Sequence, residues 1–279
     1  MAFRYSAPPL TQGAVSLVLV GAFVGLAQLP AVQTAWAAWL ETHAALHFLV
    51  AILVLHGLVY WGICAICAYV ETHDKPAFIA RYRIQTGKVR RPPRDKVIKN
   101  LALNQVLITP VMLGLLWGAL QLRGWSVDPV LPSFTELMLD LLGLSIISPI
   151  WFYASHRFLH RPWWMKRFHR VHHEFRTTAA WAAEYAHPVE MIFGNFGTLA
   201  FGVVILGPDL ATIYLYTVLG TLTFVGHHTG FAVPWLSWAV HHDWHHYKYT
   251  EAFGTYGVLD RLLGTDAEFR QLKDGEVVK

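Results

Sequence analysis

The run at 46–70, LHFLVAILVLHGLVYWGICAICAYV, carries no Asp, Glu, Lys or Arg and exceeds the ~20 residues needed to cross a bilayer. Residues 14–30 (AVSLVLVGAFVGLAQLP), 101–122 and 137–153 approach the same length. Two further apolar stretches, 189–206 and 210–226, are separated by Gly207-Pro208-Asp209, a strong break signal. Backbone in hydrocarbon must satisfy its own hydrogen bonds, so these runs read as helices. The expected fold is an all-α multi-pass membrane protein with four transmembrane helices plus a thin or re-entrant hairpin. The first run reads as a retained anchor rather than a cleaved leader, because three more spans follow it.

Only 14% of the 279 residues are charged, against about a quarter in a soluble domain. That composition excludes a disordered chain and a nucleic-acid-binding arm. Cys64 and Cys67 lie inside an apolar run, which excludes a disulfide scaffold and a four-ligand zinc site; despite their redox spacing, packing is the reading for this pair. The charges that remain are sorted by position. Residues 75–99 hold nine Lys/Arg and 156–176 hold six, whereas the segments joining runs one to two and three to four hold only Arg123. Four spans and a hairpin put 21 of the 22 Lys/Arg on one face, which the positive-inside rule makes cytoplasmic. The net charge of +4 then reflects orientation and anionic lipid headgroups, not a nucleic-acid partner. The expected organisation is a transmembrane region over 1–154, with a basic cytoplasmic loop at 72–100. A cytoplasmic histidine-rich cap follows over 155–279 and contains the membrane hairpin 189–226.

Sixteen histidines conflict with so apolar a chain until they are placed. Twelve lie at or just beyond span ends on the cytoplasmic side, and eight of those form His156-x3-His160, His169-x2-His172-His173 and His242-x2-His245-His246. Positions i, i+3 and i+4 project from one helical face, so each cluster is expected to aim its rings in one direction. Pro162, just after His160-Arg161, ends one helix and starts the next, letting the first two clusters face each other. Eight imidazoles exceed what one ion can take, so two metals are implied. Neutral imidazole suits Zn, Fe, Cu and Ni. Zinc hydrolase sites use three protein ligands and a water, and there is no HExxH. Two iron ions handling O2 fit a substrate buried in the bilayer.

These residues carry a family resemblance. The three clusters resemble the HxxxH, HxxHH and HxxHH boxes of the fatty acid hydroxylase/sterol desaturase superfamily of membrane di-iron enzymes, over about His156 to Thr265. Within that stretch, His169-Arg-Val-His172-His173-Glu174-Phe175 and Ala183-Glu184-Tyr185-Ala186-His187-Pro188-Val189-Glu190 are similar to the C-4 methylsterol monooxygenase branch. So are His228-Thr229-Gly230-Phe231 with Pro234, His241-His242-Asp243-Trp244-His245-His246, and Tyr82-Arg83-Ile84-Gln85 upstream. The family's W-D-R-x-F-G-T ending is replaced by Leu259-Asp260-Arg261-Leu262-Leu263-Gly264-Thr265, without either aromatic, and Ala252 stands where an Asn is usual. The resemblance implies hydroxylation of a membrane lipid, most specifically a sterol C-4 methyl group in sterol biosynthesis. A fatty-acyl or other lipid hydroxylase or desaturase of the same superfamily is the alternative. It also implies O2 as co-substrate and electrons from NAD(P)H through a separate carrier, consistent with a sequence that offers no flavin, haem or nicotinamide domain.

The match adds His187 and His228 to the boxed eight. The expected metal ligands are therefore His156, His160, His169, His172, His173, His187, His228, His242, His245 and His246, with no catalytic residue beyond the metal centre. His227 and His241 read as neighbours of the ligands. His43, His47, His56 and His73 belong to no cluster and read as hydrogen-bonded histidines. Glu174, Glu184, Glu190 and Asp243 are placed either to take a ligand's second N–H or to balance nearby Arg. Asp260-Arg261 reads as a structural ion pair. The basic loop reads first as a topogenic signal, with docking of an acidic electron carrier as a second use. Trp151, Trp163, Trp164, Trp181, Trp235 and Trp238 fit an aromatic belt. A membrane haem protein would pair single histidines within neighbouring spans, and a metal carrier would hold its ligands at the midplane. The clusters lie at the rim instead. The compartment, bacterial inner membrane or endoplasmic reticulum, stays open.

Overall fold

The computed structural model describes residues 2–278 except 8–9, 12, 42–43 and 237–238, so His43 and Trp238 lie outside the described residues. Apolar sequence becomes helix as expected. α1 is Ala14–Ala27 and α2 Pro30–Leu40. α3 (His47–His73), α4 (Arg94–Leu122), α5 (Phe134–Leu159), α6 (Pro188–Leu206) and α7 (Leu210–His228) are each long and apolar enough to cross a membrane. Their outward faces stay apolar and uncovered, as at Leu58, Val106, Leu115, Leu139, Ile146 and Ile205. That is the pattern of a bundle solvated by lipid.

The hydrogen bonds at the two ends set the path. At the end carrying the histidines, Gly13 N–H donates to the carbonyl of Leu236 at 3.0 Å, so α1 starts there. At the far end Gln33 receives the N–H of Leu131 at 3.2 Å, and Trp36 Nε1 donates to Asp128 O at 3.4 Å. α1 therefore traverses the bundle, but as 14 residues, about 21 Å, where a full span was expected. The chain then bends by 87° into α2, because Pro30 occupies the first turn of a new helix and cannot continue the old one.

The hairpin left open by the sequence reaches the far end. Its Gly207-Pro208-Asp209 tip meets the end of α4, where Trp125 Nε1 donates to Pro208 O at 2.9 Å. The Arg123 guanidinium covers the carbonyls of Val204, Ile205 and Leu206. A cation on the last turn of α6 is favourable because the helix dipole leaves that end negative. Gly207 closes α6 at φ +64°, in the left-handed region glycine adopts freely.

The cap is tied together by very short strands. β1 (Ala2–Arg4) pairs antiparallel with β2 (Gln85–Thr86) on one side and β3 (Val277–Val278) on the other. Phe3 is fully buried there, 5.0 Å from Trp244 between ring centroids. Trp244 belongs to α8 (Ala239–Lys248), followed by α9 (Val258–Leu263).

Candidate metal centre

Nine of the ten expected ligands come together in two groups among the described residues. His156, His160, His169, His173 and His245 form one, and His172, His228, His242 and His246 form the other. The donors come from the cap ends of α5 and α7, from α8, and from the segment after Pro162. In that segment a π-helical turn over Met165–His169 gives way to a 3₁₀ turn over His172–Glu174. Each of the last two boxes divides between the groups instead of aiming one way. His169 and His173, four apart, serve the first and His172 the second; His242 and His246, four apart, serve the second and His245 the first. Adjacent helical residues point about 100° apart, so HH pairs diverge while i, i+4 pairs stay in a row.

The donor atoms are all Nε2. In the first group neighbouring Nε2 atoms lie 2.9–3.2 Å apart. In the second they lie 2.9–3.4 Å apart. Metal–imidazole bonds of ~2.1 Å separate neighbouring ligand nitrogens by about 3.0–3.4 Å. In five of the nine rings the opposite nitrogen is held by backbone. His156 Nδ1 meets Phe253 O and His245 Nδ1 meets Glu251 O, both at 2.7 Å. His172 meets Tyr185 O at 3.2 Å, His228 meets Phe224 O at 2.7 Å, and His246 meets Phe175 O at 2.8 Å. A carbonyl can only accept, so each Nδ1 carries the proton and each Nε2 presents a lone pair.

Buried lone pairs crowded this closely repel unless a cation sits among them, so the donor set fits two metal ions. Burial also keeps the rings neutral. It takes His172 down to about 4 and, with neighbouring imidazoles, holds His169, His173, His242, His245 and His246 well below the usual histidine range. A neutral ring is the ligand form.

His187 is in neither group. Its Nδ1 accepts the N–H of Val189 at 3.1 Å and caps the start of α6 ahead of Pro188, and its ring packs on Phe168. Among the four acids the roles separate. Glu190 Oε1 lies 2.8 Å from His169 Nδ1, whereas Glu174 pairs with Lys96 at 2.6 Å and takes the Tyr185 hydroxyl. Asp243 is held by Gln85 and Thr178, and Glu184 by His56 and Gln105.

The expected Asp260–Arg261 ion pair is not formed. Arg261 pairs with Asp266, while fully buried Asp260 accepts N–H bonds from Phe253 and Gly254, each at 2.8 Å. The reason is position: Asp260 faces inward, where it fixes the loop whose Phe253 carbonyl orients His156. His241 sits beside Asp260 at 3.7 Å, and His227 stacks on His242, as neighbours of the ligands. Cys64 and Cys67 are free and buried. The backbone acceptors and the loop-fixing role of Asp260 escaped sequence reasoning; every residue has a carbonyl, so only the fold reveals which ones face a histidine.

A slot runs along α7 from Ile213, near the far end, to Phe224 and Val225, four and three residues before His228 of the second group. Those positions span about 18 Å of helix. Its wall is apolar except for scattered threonines, Tyr216 and Asn195, and a polar patch at Glu184 and His56.

The sequence profile of the fatty acid hydroxylase family matches residues 141–265, which contain every grouped histidine. The chain is 34% identical to human "Fatty acid hydroxylase domain-containing protein 2", over 81% of this chain and 69% of that protein. It is 34% identical to Arabidopsis thaliana "Methylsterol monooxygenase 2-2", over 72% of this chain and 79% of the relative. It is 32% identical to "Very-long-chain aldehyde decarbonylase GL1-11" of Oryza sativa subsp. indica, with the same two coverages. No solved structure matches it. With its histidine boxes gathered into two buried donor groups at the rim of a membrane bundle, the chain belongs to the fatty acid hydroxylase family.

Proposed function

We propose that the chain is a di-iron oxygenase that uses O2 to hydroxylate a C–H bond of a membrane lipid, with electrons from NAD(P)H delivered by a separate protein. The observation that carries this reading is the pair of buried histidine groups at one end of a membrane bundle, with an apolar slot whose wall includes Phe224, the residue whose carbonyl holds His228 of the second group. When bound, the iron pair supplies the activation of O2. The chain's own residues do the rest. The carbonyls of Phe175, Tyr185, Phe224, Glu251 and Phe253 fix ring orientation, and Glu190 steadies His169. Burial of all four rings in the second group keeps bulk water off the reacting carbon. The slot holds a lipid tail in line with the site, drawn from the bilayer without leaving apolar surroundings. The second group has four protein donors against five, so it has the greater room for a further ligand.

The specific substrate we propose is a sterol bearing a C-4 methyl group, on the strength of the Ala183–Glu190 stretch and the similarity to a methylsterol monooxygenase. A fatty-acyl substrate is favoured by the largely apolar wall of the slot. The cap faces the cytoplasm in this reading, since the basic segments 75–99 and 156–176 lie at its end, whereas the segments joining the spans at the other end carry only Arg123 in the sequence.

A comparison of cellular lipids with and without the gene tests the substrate. Accumulated 4-methyl sterols on deletion are expected; unchanged sterols with altered acyl chains transfer the assignment to fatty acids. Metal analysis of the purified protein should give about two iron per chain. One zinc, with no O2 consumed in the presence of lipid and reductant, overturns the reading.

A further inference from the structure

We infer that Glu184, braced by His56 and Gln105, is the specificity residue that recognises a hydroxyl group on the lipid substrate. The inference rests on the reading of the chain as a lipid hydroxylase. It begins from cost: ionisable side chains inside a membrane bundle are expensive, and those that persist mark functional contacts. His56 and Gln105 stand within α3 and α4 and belong to neither donor group, yet both reach Glu184. His56 Nε2 contacts Glu184 Oε1, and Gln105 Nε2 donates to Glu184 Oε2 at 2.7 Å. The brace is itself braced. Trp61 Nε1 donates to Gln105 Oε1 at 3.0 Å, and the Tyr60 ring stacks on His56 while its hydroxyl donates to Trp181 O at 3.0 Å.

A purely structural pair would be packed away on all sides. This one forms part of the slot wall, where Glu184 and His56 stand beside Ala183, Met191, Phe224 and Val225. A carboxylate has about four acceptor positions, and two are taken by His56 and Gln105. The remainder are available to a donor in the slot. The chemistry selects that donor: a hydroxyl is attracted, whereas a carboxylate headgroup meets a like charge in a low-dielectric wall. The position selects where on the lipid the hydroxyl sits. The next residue, Tyr185, holds His172 through its carbonyl at 3.2 Å, so the segment that carries Glu184 also orients a ring of the second donor group. The recognised hydroxyl therefore sits on the part of the lipid that lies against this stretch of the slot wall, beside Ala183, Met191, Phe224 and Val225. A sterol alcohol and a long-chain alcohol share this chemistry.

Equilibrium binding to the iron-loaded protein in lipid nanodiscs tests it, with four probes: a 4-methylsterol, its 3-O-methyl ether, hexadecanol and hexadecanoate. Wild-type protein should bind one alcohol at least about tenfold tighter than its hydroxyl-lacking counterpart, the worth of a hydrogen bond to a charged group. Whichever alcohol shows the preference identifies the source. Glu184→Leu should bring the ratio close to one with iron content unchanged. Glu184→Gln, which keeps the shape and one acceptor oxygen for Gln105 Nε2, should reduce it several-fold and serves if the leucine variant does not fold. No preference in wild type, or a preference that survives in an iron-replete Glu184 variant, overturns the inference. A Glu184-dependent preference without any oxidised product would leave the recognition standing and overturn the hydroxylase reading.

Discussion

At the scale of single residues, the metal centre is organised by groups that carry no chemical signature. Five backbone carbonyls set the tautomer of five histidines, and one carboxylate, Glu190, sits behind a sixth. Replacing Glu190 by Ala should lower iron affinity by about 10–100-fold, measured by competition with a chelator, because the partner behind a ligand tunes both its orientation and basicity. His172→Ala removes one of four donors from the group beneath the cap and should abolish turnover while leaving membrane insertion intact, checked by iron content and fractionation. His187→Ala should leave iron content unchanged and cost about 1 kcal/mol as a lost helix cap, read from thermal unfolding. The histidine boxes were legible in the sequence because coordination is done by side chains at fixed spacing. The role of His187 was not, since a histidine ahead of Pro188 looks alike whether it binds a metal or starts a helix. Among Glu174, Glu184, Glu190 and Asp243, distance along the chain carried no information, because partners are chosen by distance in the fold.

At the scale of elements, apolar length announced the helices and said little about how they end. The 87° bend between α1 and α2 hangs on Pro30, which closed the first apolar run in the sequence but opens a new helix in the structure. Strands of two or three residues are too short to show any period, so the β2-β1-β3 sheet was invisible. The splitting of the HxxHH boxes between two groups follows from helical rotation and could have been read from spacing. The turn after α7 makes the sharpest demand on one residue. Gly230 has φ +76°, and a Cβ there would stand 3.2 Å from the carbonyl oxygen of Thr178. Its own carbonyl receives the Ile84 N–H at 2.9 Å, joining the basic segment to the cap. Gly230→Ala should therefore destabilise the folded protein by about 1–3 kcal/mol, measured as a lower unfolding temperature in detergent.

At the scale of the whole molecule, the two donor groups join parts that otherwise meet mainly through apolar packing. They take rings from α5, from the segment after it, from α7 and from α8, so a bound metal fastens the cap to the membrane bundle. Stripping metal with a chelator should lower the unfolding temperature and expose cap sites to protease while the spans stay protected. If the cap and bundle remain equally resistant without metal, the centre is not what fastens them. Positive charge was legible at this scale too, since the basic segments 75–99 and 156–176 lie at the end of the bundle that carries the grouped histidines. The depth of the hairpin was not, because composition does not say what a loop tip will touch.

The sheet also fixes an order of events during synthesis. β1 leaves the ribosome first, but β2 follows some eighty residues later and β3 not until 277–278. Phe3 cannot reach its place against Trp244 until every helix of the bundle has been inserted. The sheet is thus among the last parts of the molecule to close, after every ring of the two donor groups has been synthesised.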